Sequence, residues 1–183
     1  MNISVFGGSQ PQEGSPAYQD ALELGRMLAE KGYTVLTGGY MGTMEAVSRG
    51  ASEAGGHVIG VTCEQIEKWR ALGANRWVRE ERRTESLLDR LQGLIEGCDA
   101  ALALPGGPGT LAEISLMWNL MIIGGLEKRP LILIGDGWQA VFSCFFQDLG
   151  LYSPPNQRGF LRFAPDGASA VAMLGKIVGD LAT

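Results

Sequence analysis

One stretch constrains this chain more than any other. A short apolar run, Ala100 to Leu104, leads at once into a glycine-rich turn, Gly106-Gly107-Pro108-Gly109. Thr110 then opens a strongly apolar segment that reaches Ile123. A continuous apolar run of this length reads as a buried parallel strand, and the segment after the turn as a helix. Strand, glycine turn and helix N-terminus together make an anion site. The amides of the first helical turn have no partner within the helix, and the helix dipole adds partial positive charge. Glycine lets a phosphate approach the backbone with no Cβ in the way. The same turn sets a carboxylate, Glu113, close to where that phosphate would sit.

The rest of the chain repeats the pattern. Residues 3–6 read as a first strand ending at Gly7-Gly8-Ser9. Ser15 and Pro16 predict an N-cap and first helical position, with Gly32 closing that helix. Residues 33–37 form a second strand, followed by the loop Gly38-Gly39-Tyr40-Met41-Gly42 and a helix to Glu53. Residues 57–61 form a third strand. Residues 63–83 show no clear period, and a short strand is expected around Trp77-Val78. A helix over 84–97, strands over 100–104 and 130–134, and a helix over 137–149 follow. A short strand over 160–163 and a helix over 168–181 close the chain. The alternation predicts one α/β domain over residues 1–183, a central parallel sheet with helices on both faces. Ligands of such sheets bind at the carboxyl ends of the strands. Glycine loops after three separate strands, at Gly7, Gly38 and Gly106, would converge there.

Composition narrows the function classes. The 183 residues carry a formal charge of −5, which argues against general binding to nucleic acid or to a membrane surface. No apolar run is long enough to span a bilayer and no signal peptide is evident, so a cytoplasmic location is expected. Cys63, Cys98 and Cys144 are widely spaced, with no C-x-x-C and a single histidine, His57, which argues against a zinc site. The same scarcity excludes a serine or cysteine triad.

The candidate residues each have a plain reading beside a functional one. Thr110-Leu-Ala-Glu113 matches a capping box, which alone would explain both ends of it. Alternatively, Glu113 faces the ligand edge and acts on a sugar. Gly107-Pro-Gly-Thr-Leu-Ala112 fits the dinucleotide fingerprint, but it lies mid-chain and the acidic residue that follows the next strand, Asp136, is rather far for the ribose acid, so an oxidoreductase is disfavoured. Arg90 reads as a surface arginine near Ser86 and Asp89, or as part of a site. Arg70, Arg76, Arg79, Arg82 and Arg83 are interleaved with Glu80, Glu81 and Glu85, which suggests solvated ion pairs. One or two of these arginines reaching a phosphate is the alternative. The helix after the loop is apolar nearly all round, through Met117, Trp118, Leu120, Met121, Ile122 and Ile123. A homodimer through this helix or its neighbours is expected.

The loop Pro105-Gly-Gly-Pro-Gly-Thr-Leu-Ala-Glu113 resembles the P-G-G-x-G-T-x-x-E motif of the LOG (Lonely Guy) family, long labelled as possible lysine decarboxylases. Val5-Phe-Gly-Gly-Ser9 resembles that family's first strand and loop. Thr37-Gly-Gly-Tyr-Met-Gly-Thr-Met44 resembles its second glycine motif. The resemblance spans about residues 2–150. It implies a Rossmann-like three-layer sandwich, usually dimeric, that cleaves the N-glycosidic bond of nucleoside 5′-monophosphates such as AMP or cytokinin riboside monophosphates. The products are free base and ribose 5-phosphate, with no metal or redox cofactor. By the same resemblance Glu113 and Arg90 are the catalytic pair, and Gly8, Ser9, Gly38, Gly39, Gly106, Gly107, Gly109 and Thr110 bind substrate. Many active members carry His and Lys beside that arginine, where this chain has Leu88 and Leu91. A molybdenum-cofactor carrier also resembles the family, so binding of a nucleotide or phosphorylated cofactor without hydrolysis is the alternative.

Overall fold

In the computed structural model, which describes residues 1–181, one seven-stranded sheet runs through the molecule in the order β4-β3-β2-β1-β5-β6-β7. The strands are β1 (Asn2–Phe6), β2 (Thr34–Thr37), β3 (Val58–Cys63), β4 (Glu80–Thr84), β5 (Ala100–Ala103), β6 (Leu131–Ile134) and β7 (Leu161–Ala164). Every adjacent pair is parallel. The helices are α1 (Pro16–Glu30), α2 (Thr43–Glu53), α3 (Glu64–Arg70), α4 (Leu87–Glu96), α5 (Pro108–Ile123), α6 (Asp136–Asp148), α7 (Pro155–Arg158) and α8 (Gly167–Leu181). This is the α/β Rossmann-like sandwich expected.

The two-residue period of the strands sorts the core into two layers. Ile3 and Val5 of β1 and Leu102 of β5 pack with α1, α2 and α8 on one face. Phe6, Ala101 and Ala103 pack with α4, α5 and α6 on the other. Helices α1 and α2 meet backbone to backbone. A Cβ on Gly25 would lie 2.1 Å from the Val47 carbonyl oxygen, and one on Gly50 would lie 1.9 Å from that of Leu22. Ser15 caps α1 by accepting a bond from the Tyr18 amide (3.3 Å), with Pro16 at the first helical position.

The chain walks outward from β1 through β2 and β3 to β4, then returns along α4 to insert β5 on the other side of β1. Neighbouring strands therefore send their connections to opposite faces at β1 and β5. A crevice opens at their carboxyl ends, which is where open sheets of this kind hold ligands.

Residues 63–83 depart from the expectation. They form a two-turn helix, α3, and the strand lies at Glu80–Thr84 rather than around Trp77-Val78. β4 is an edge strand paired only with β3, so its side chains stay largely in water and need no apolar alternation. Its charged sequence, Glu-Glu-Arg-Arg-Thr, hides it from a hydrophobic reading. The start of α5 differs too. Gly107 is the N-cap and Pro108 the first helical residue, without a side-chain cap bond. Thr110 thus sits inside the first turn, and the capping-box reading of Thr110 and Glu113 does not hold.

Candidate active site

The three glycine loops interlock at the β1/β5 crevice. The first loop packs on the third: a Cβ on Gly8 would lie 3.4 Å from Gly106 Cα. The second loop grips the first. The Thr43 amide and hydroxyl both donate to the Gly8 carbonyl, at 2.9 and 3.0 Å. Gly42 turns there with φ 72°, and a Cβ on it would strike Gly8 and Ser9 at about 2.6 Å or less. Loops from separate parts of the sequence are thereby fixed to one another without any apolar core between them.

Beneath them lies a buried ion pair. Arg90 projects from the first turn of α4, and Glu113 from the second turn of α5. They are 5% and 6% exposed, with Arg90 Nη1 3.7 Å from Glu113 Oε1. Arg90 is held on three sides. Its Nε donates to the Val61 carbonyl at 2.9 Å, its Nη2 lies 3.7 Å from Met44 Sδ, and its guanidinium sits 5.6 Å from the centre of the Tyr40 ring. Tyr40 is itself locked, accepting from the Cys63 amide (2.7 Å) and donating to the Cys63 carbonyl (3.1 Å). A buried arginine held this firmly presents a fixed charge to the carboxylate. Burial pushes the Glu113 carboxyl up to about 7, while the Arg90 charge pulls the other way. A carboxyl poised near neutrality inside a cleft is the usual mark of a working group.

A cleft of about 460 Å³ opens above this pair. Gly8, Ser9, Gly107, Gly109, Thr110, Arg90 and Glu113 all line it. Across from them stand Ile66, Trp69, Arg70 and Leu72, from α3 and the turn after it. The amides of Gly109 and Thr110 precede the first intrahelical bond of α5, from Leu111 to the Gly107 carbonyl (3.0 Å), so they remain open to an anion.

Gly38, Gly39 and Gly106 fall behind the lining. A Cβ on Gly38 would lie 1.8 Å from Arg90 Nη2, so this glycine makes room for the guanidinium. Gly39, with φ 76°, packs on Gly60 and Thr62, and its carbonyl accepts from the Asn75 amide at 2.7 Å. A Cβ on Gly106 would strike the Thr110 hydroxyl at 2.1 Å. The other arginines divide. Arg82 and Arg83 pair with Glu80 (2.7 Å) and Glu67 (2.5 Å). Arg70 has no carboxylate partner among the described residues and reaches the cleft. His57 bonds Glu80 at 3.1 Å, at the amino end of β3 and away from the glycine loops. Tyr40, Met44 and, of the opposite wall, Ile66 and Leu72 carry no site expectation from sequence, whereas Arg70 does. The first two sit inside the second glycine motif, which was the available signal.

Leu88 and Leu91 fall outside the cleft. Leu88 is 73% exposed and Leu91 packs inward, while Leu87 between them and Ser86 does line the site.

Comparison with known proteins places these features in context. A model of the SLOG cluster4 family matches residues 1–143. A probable cytokinin riboside 5′-monophosphate phosphoribohydrolase of Oryza sativa subsp. japonica is 31% identical over 182 residues, covering 96% of this chain and 78% of the relative. A cytokinin riboside 5′-monophosphate phosphoribohydrolase of the same organism is 36% identical over 148 residues, covering 78% of this chain and 59% of the relative. Among solved structures, the molybdenum cofactor carrier protein of Chlamydomonas reinhardtii matches with a TM-score of 0.73 at 26% identity, covering 97% of this chain and 98% of that one.

Proposed function

The chain belongs to the SLOG cluster4 family, and from that premise we propose that it hydrolyses the N-glycosidic bond of a nucleoside 5′-monophosphate, of the AMP or cytokinin riboside type. The observation that carries this reading is the buried Glu113–Arg90 pair at the floor of a cleft whose rim is a helix N-terminus. The 5′-phosphate rests on the open amides of Gly109 and Thr110, beside the glycines of the first loop. That anchors the ribose over Glu113. As the bond between C1′ and the base nitrogen breaks, its electron pair leaves with the base and positive charge builds on the ribose. The Glu113 carboxylate stabilises that charge, orients the water that attacks C1′ and takes its proton, and a proton is returned to the departing base nitrogen, so that free base and ribose 5-phosphate result. Arg90 keeps the carboxylate in place. The apolar side chains Ile66, Trp69 and Leu72 face the base. The rice relatives, named as phosphoribohydrolases of this type, support the assignment.

A homodimer forms part of this reading. Leu111 and Ile123 of α5 and Leu88 of α4 are exposed apolar side chains that a second copy would cover, and light scattering of the purified protein tests it. Incubation with a panel of nucleoside 5′-monophosphates, followed by chromatography for free base, tests the reaction. Tight binding of a nucleotide with no base released would replace hydrolysis by carriage of a phosphorylated ligand. The likeness to a molybdenum cofactor carrier over nearly the whole chain favours that second reading.

A further inference from the structure

We propose that Arg70 is a phosphate clamp, a specificity-determining cation that closes on the ligand's phosphate from the side opposite α5. The proposal rests on the reading of the cleft as a phosphate-ester site. Four features of the structure carry it.

Arg70 differs from its neighbours in pairing and in place. Arg82 and Arg83, on the adjacent edge strand, are each matched to a glutamate, and Arg76 and Arg79, which like Arg70 have no carboxylate partner among the described residues, do not line the cleft; among those residues the side-chain acceptor of Arg70 is the neutral Ser9 hydroxyl, at 3.3 Å from Nη1. A neutral hydroxyl is a weak partner for a guanidinium, and a phosphate oxygen outcompetes it. The contact also places the charge. Ser9 belongs to the first glycine loop, and Gly8 beside it packs on Gly106, at the start of the loop that feeds α5. Arg70 thus hangs over the same crevice that receives the open amides of α5. The side chain is preset as well. Its guanidinium lies 4.5 Å from the centre of the Trp69 ring, a stacked arrangement that restricts its rotamers and lowers the entropy lost on capture. Finally, it has room to adjust. Ser9, Arg70 and Leu72 form the wall between the cleft and a neighbouring cavity of about 510 Å³, so the guanidinium has space on either side.

The chemistry selected is a dianionic phosphate monoester. The α5 amides bind one edge of the group and Arg70 spans another with two parallel N–H donors, a geometry a lysine cannot copy. An unphosphorylated nucleoside would leave the clamp resting on Ser9.

Calorimetric titration with ribose 5-phosphate, with ribose as the control, tests the assignment on the parent, Arg70→Ala, Arg70→Lys and Arg83→Ala. Circular dichroism verifies the fold of each. We expect Arg70→Ala to weaken ribose 5-phosphate binding by about tenfold or more, with partial recovery in Arg70→Lys and no change in Arg83→Ala. Tryptophan fluorescence should respond to ribose 5-phosphate in the parent and lose that response both in Arg70→Ala and in Trp69→Phe, which separates Trp69 from the other three tryptophans. Equal affinity in parent and Arg70→Ala overturns the clamp, as does an equal loss in Arg83→Ala or a parent that binds no ribose 5-phosphate. The two proposals fail separately. Arg70-dependent binding with no base released from any monophosphate removes the hydrolase and leaves the clamp. Base release by Arg70→Ala with parental KM removes the clamp and leaves the hydrolase.

Discussion

The cleft has two unlike walls. The inner wall, made of the three glycine loops with Arg90 and Glu113, is tightly packed: a Cβ on Gly38 would strike the Arg90 guanidinium, and one on Gly106 the Thr110 side chain. The outer wall, α3 and its following turn, is short and half in water, with Trp69 74% exposed and Arg70 stacked upon it. The inner wall holds a charge and a carboxyl between buried partners. The outer wall presents surface chemistry that sequence change alters at little cost to the fold. The contrast teaches a division of labour. On the proposed reading, chemistry sits where displacement is expensive, and ligand choice sits where it is cheap.

The sharpest way to break this division is Glu113→Gln. The substitution is nearly isosteric, and we expect base release to fall by about 100-fold or more with an unchanged circular dichroism spectrum. Release at the parental rate would strip the inner wall of its chemistry. Next comes Gly38→Ala, which never touches ligand. Its Cβ would displace the Arg90 guanidinium, and kcat should fall by about tenfold while KM moves little. A matching rise in KM would mean that Gly38 acts on binding instead.

Acidity probes the same wall without mutation. With Glu113 titrating near 7, the rate should rise about tenfold between roughly pH 6 and 8 as the carboxylate forms, and the rise should vanish in Glu113→Gln. Stability should run the opposite way. A carboxyl whose folded pKa exceeds its unfolded value of 4.5 binds its proton more tightly in the folded chain. The parent therefore loses stability as pH climbs from 4.5 to about 7 and levels off above, a loss on the order of 3 kcal/mol that urea melts of parent and Glu113→Gln can compare. On the outer wall, Trp69→Ala should raise KM about threefold and leave kcat alone. The smallest effect is expected at Arg82→Ala on β4, an exposed ion pair whose loss should shift stability by under about 0.5 kcal/mol and activity not at all.

The same division explains what the sequence disclosed. The strands β1, β2, β3, β5 and β6 are written largely in apolar letters because both faces of the sheet are covered, and the glycine loops after β1, β2 and β5 mark the ligand edge. β4 was misplaced because an edge strand can be written in charges. Glu113 and Arg90 were found through a motif, not through any periodicity. Burial of the arginine is invisible in the string Ser86-Leu-Leu-Asp-Arg90, where the exposed Leu88 is the more apolar residue. Nor does a glycine-rich loop declare which glycine faces a ligand and which yields space to its neighbours, so Gly38, Gly39 and Gly106 were grouped with Gly107 and Gly109. Arg70 was one of several interleaved arginines, and only the structure separates it from those that meet glutamates.

The strand order has a consequence for how the site comes into being. β1 is made first but sits at the centre, and its β5 side is covered only when residues 100–103 arrive, after β2, β3 and β4 have been laid on the other flank. Gly8 and Gly106 meet through that last pairing, as do the helices that carry Arg90 and Glu113. A chain stopped at β4 would own a four-stranded half-sheet with an open, adhesive edge and half a crevice. The crevice would thus take shape late and all at once, as the two halves of the sheet close along β1.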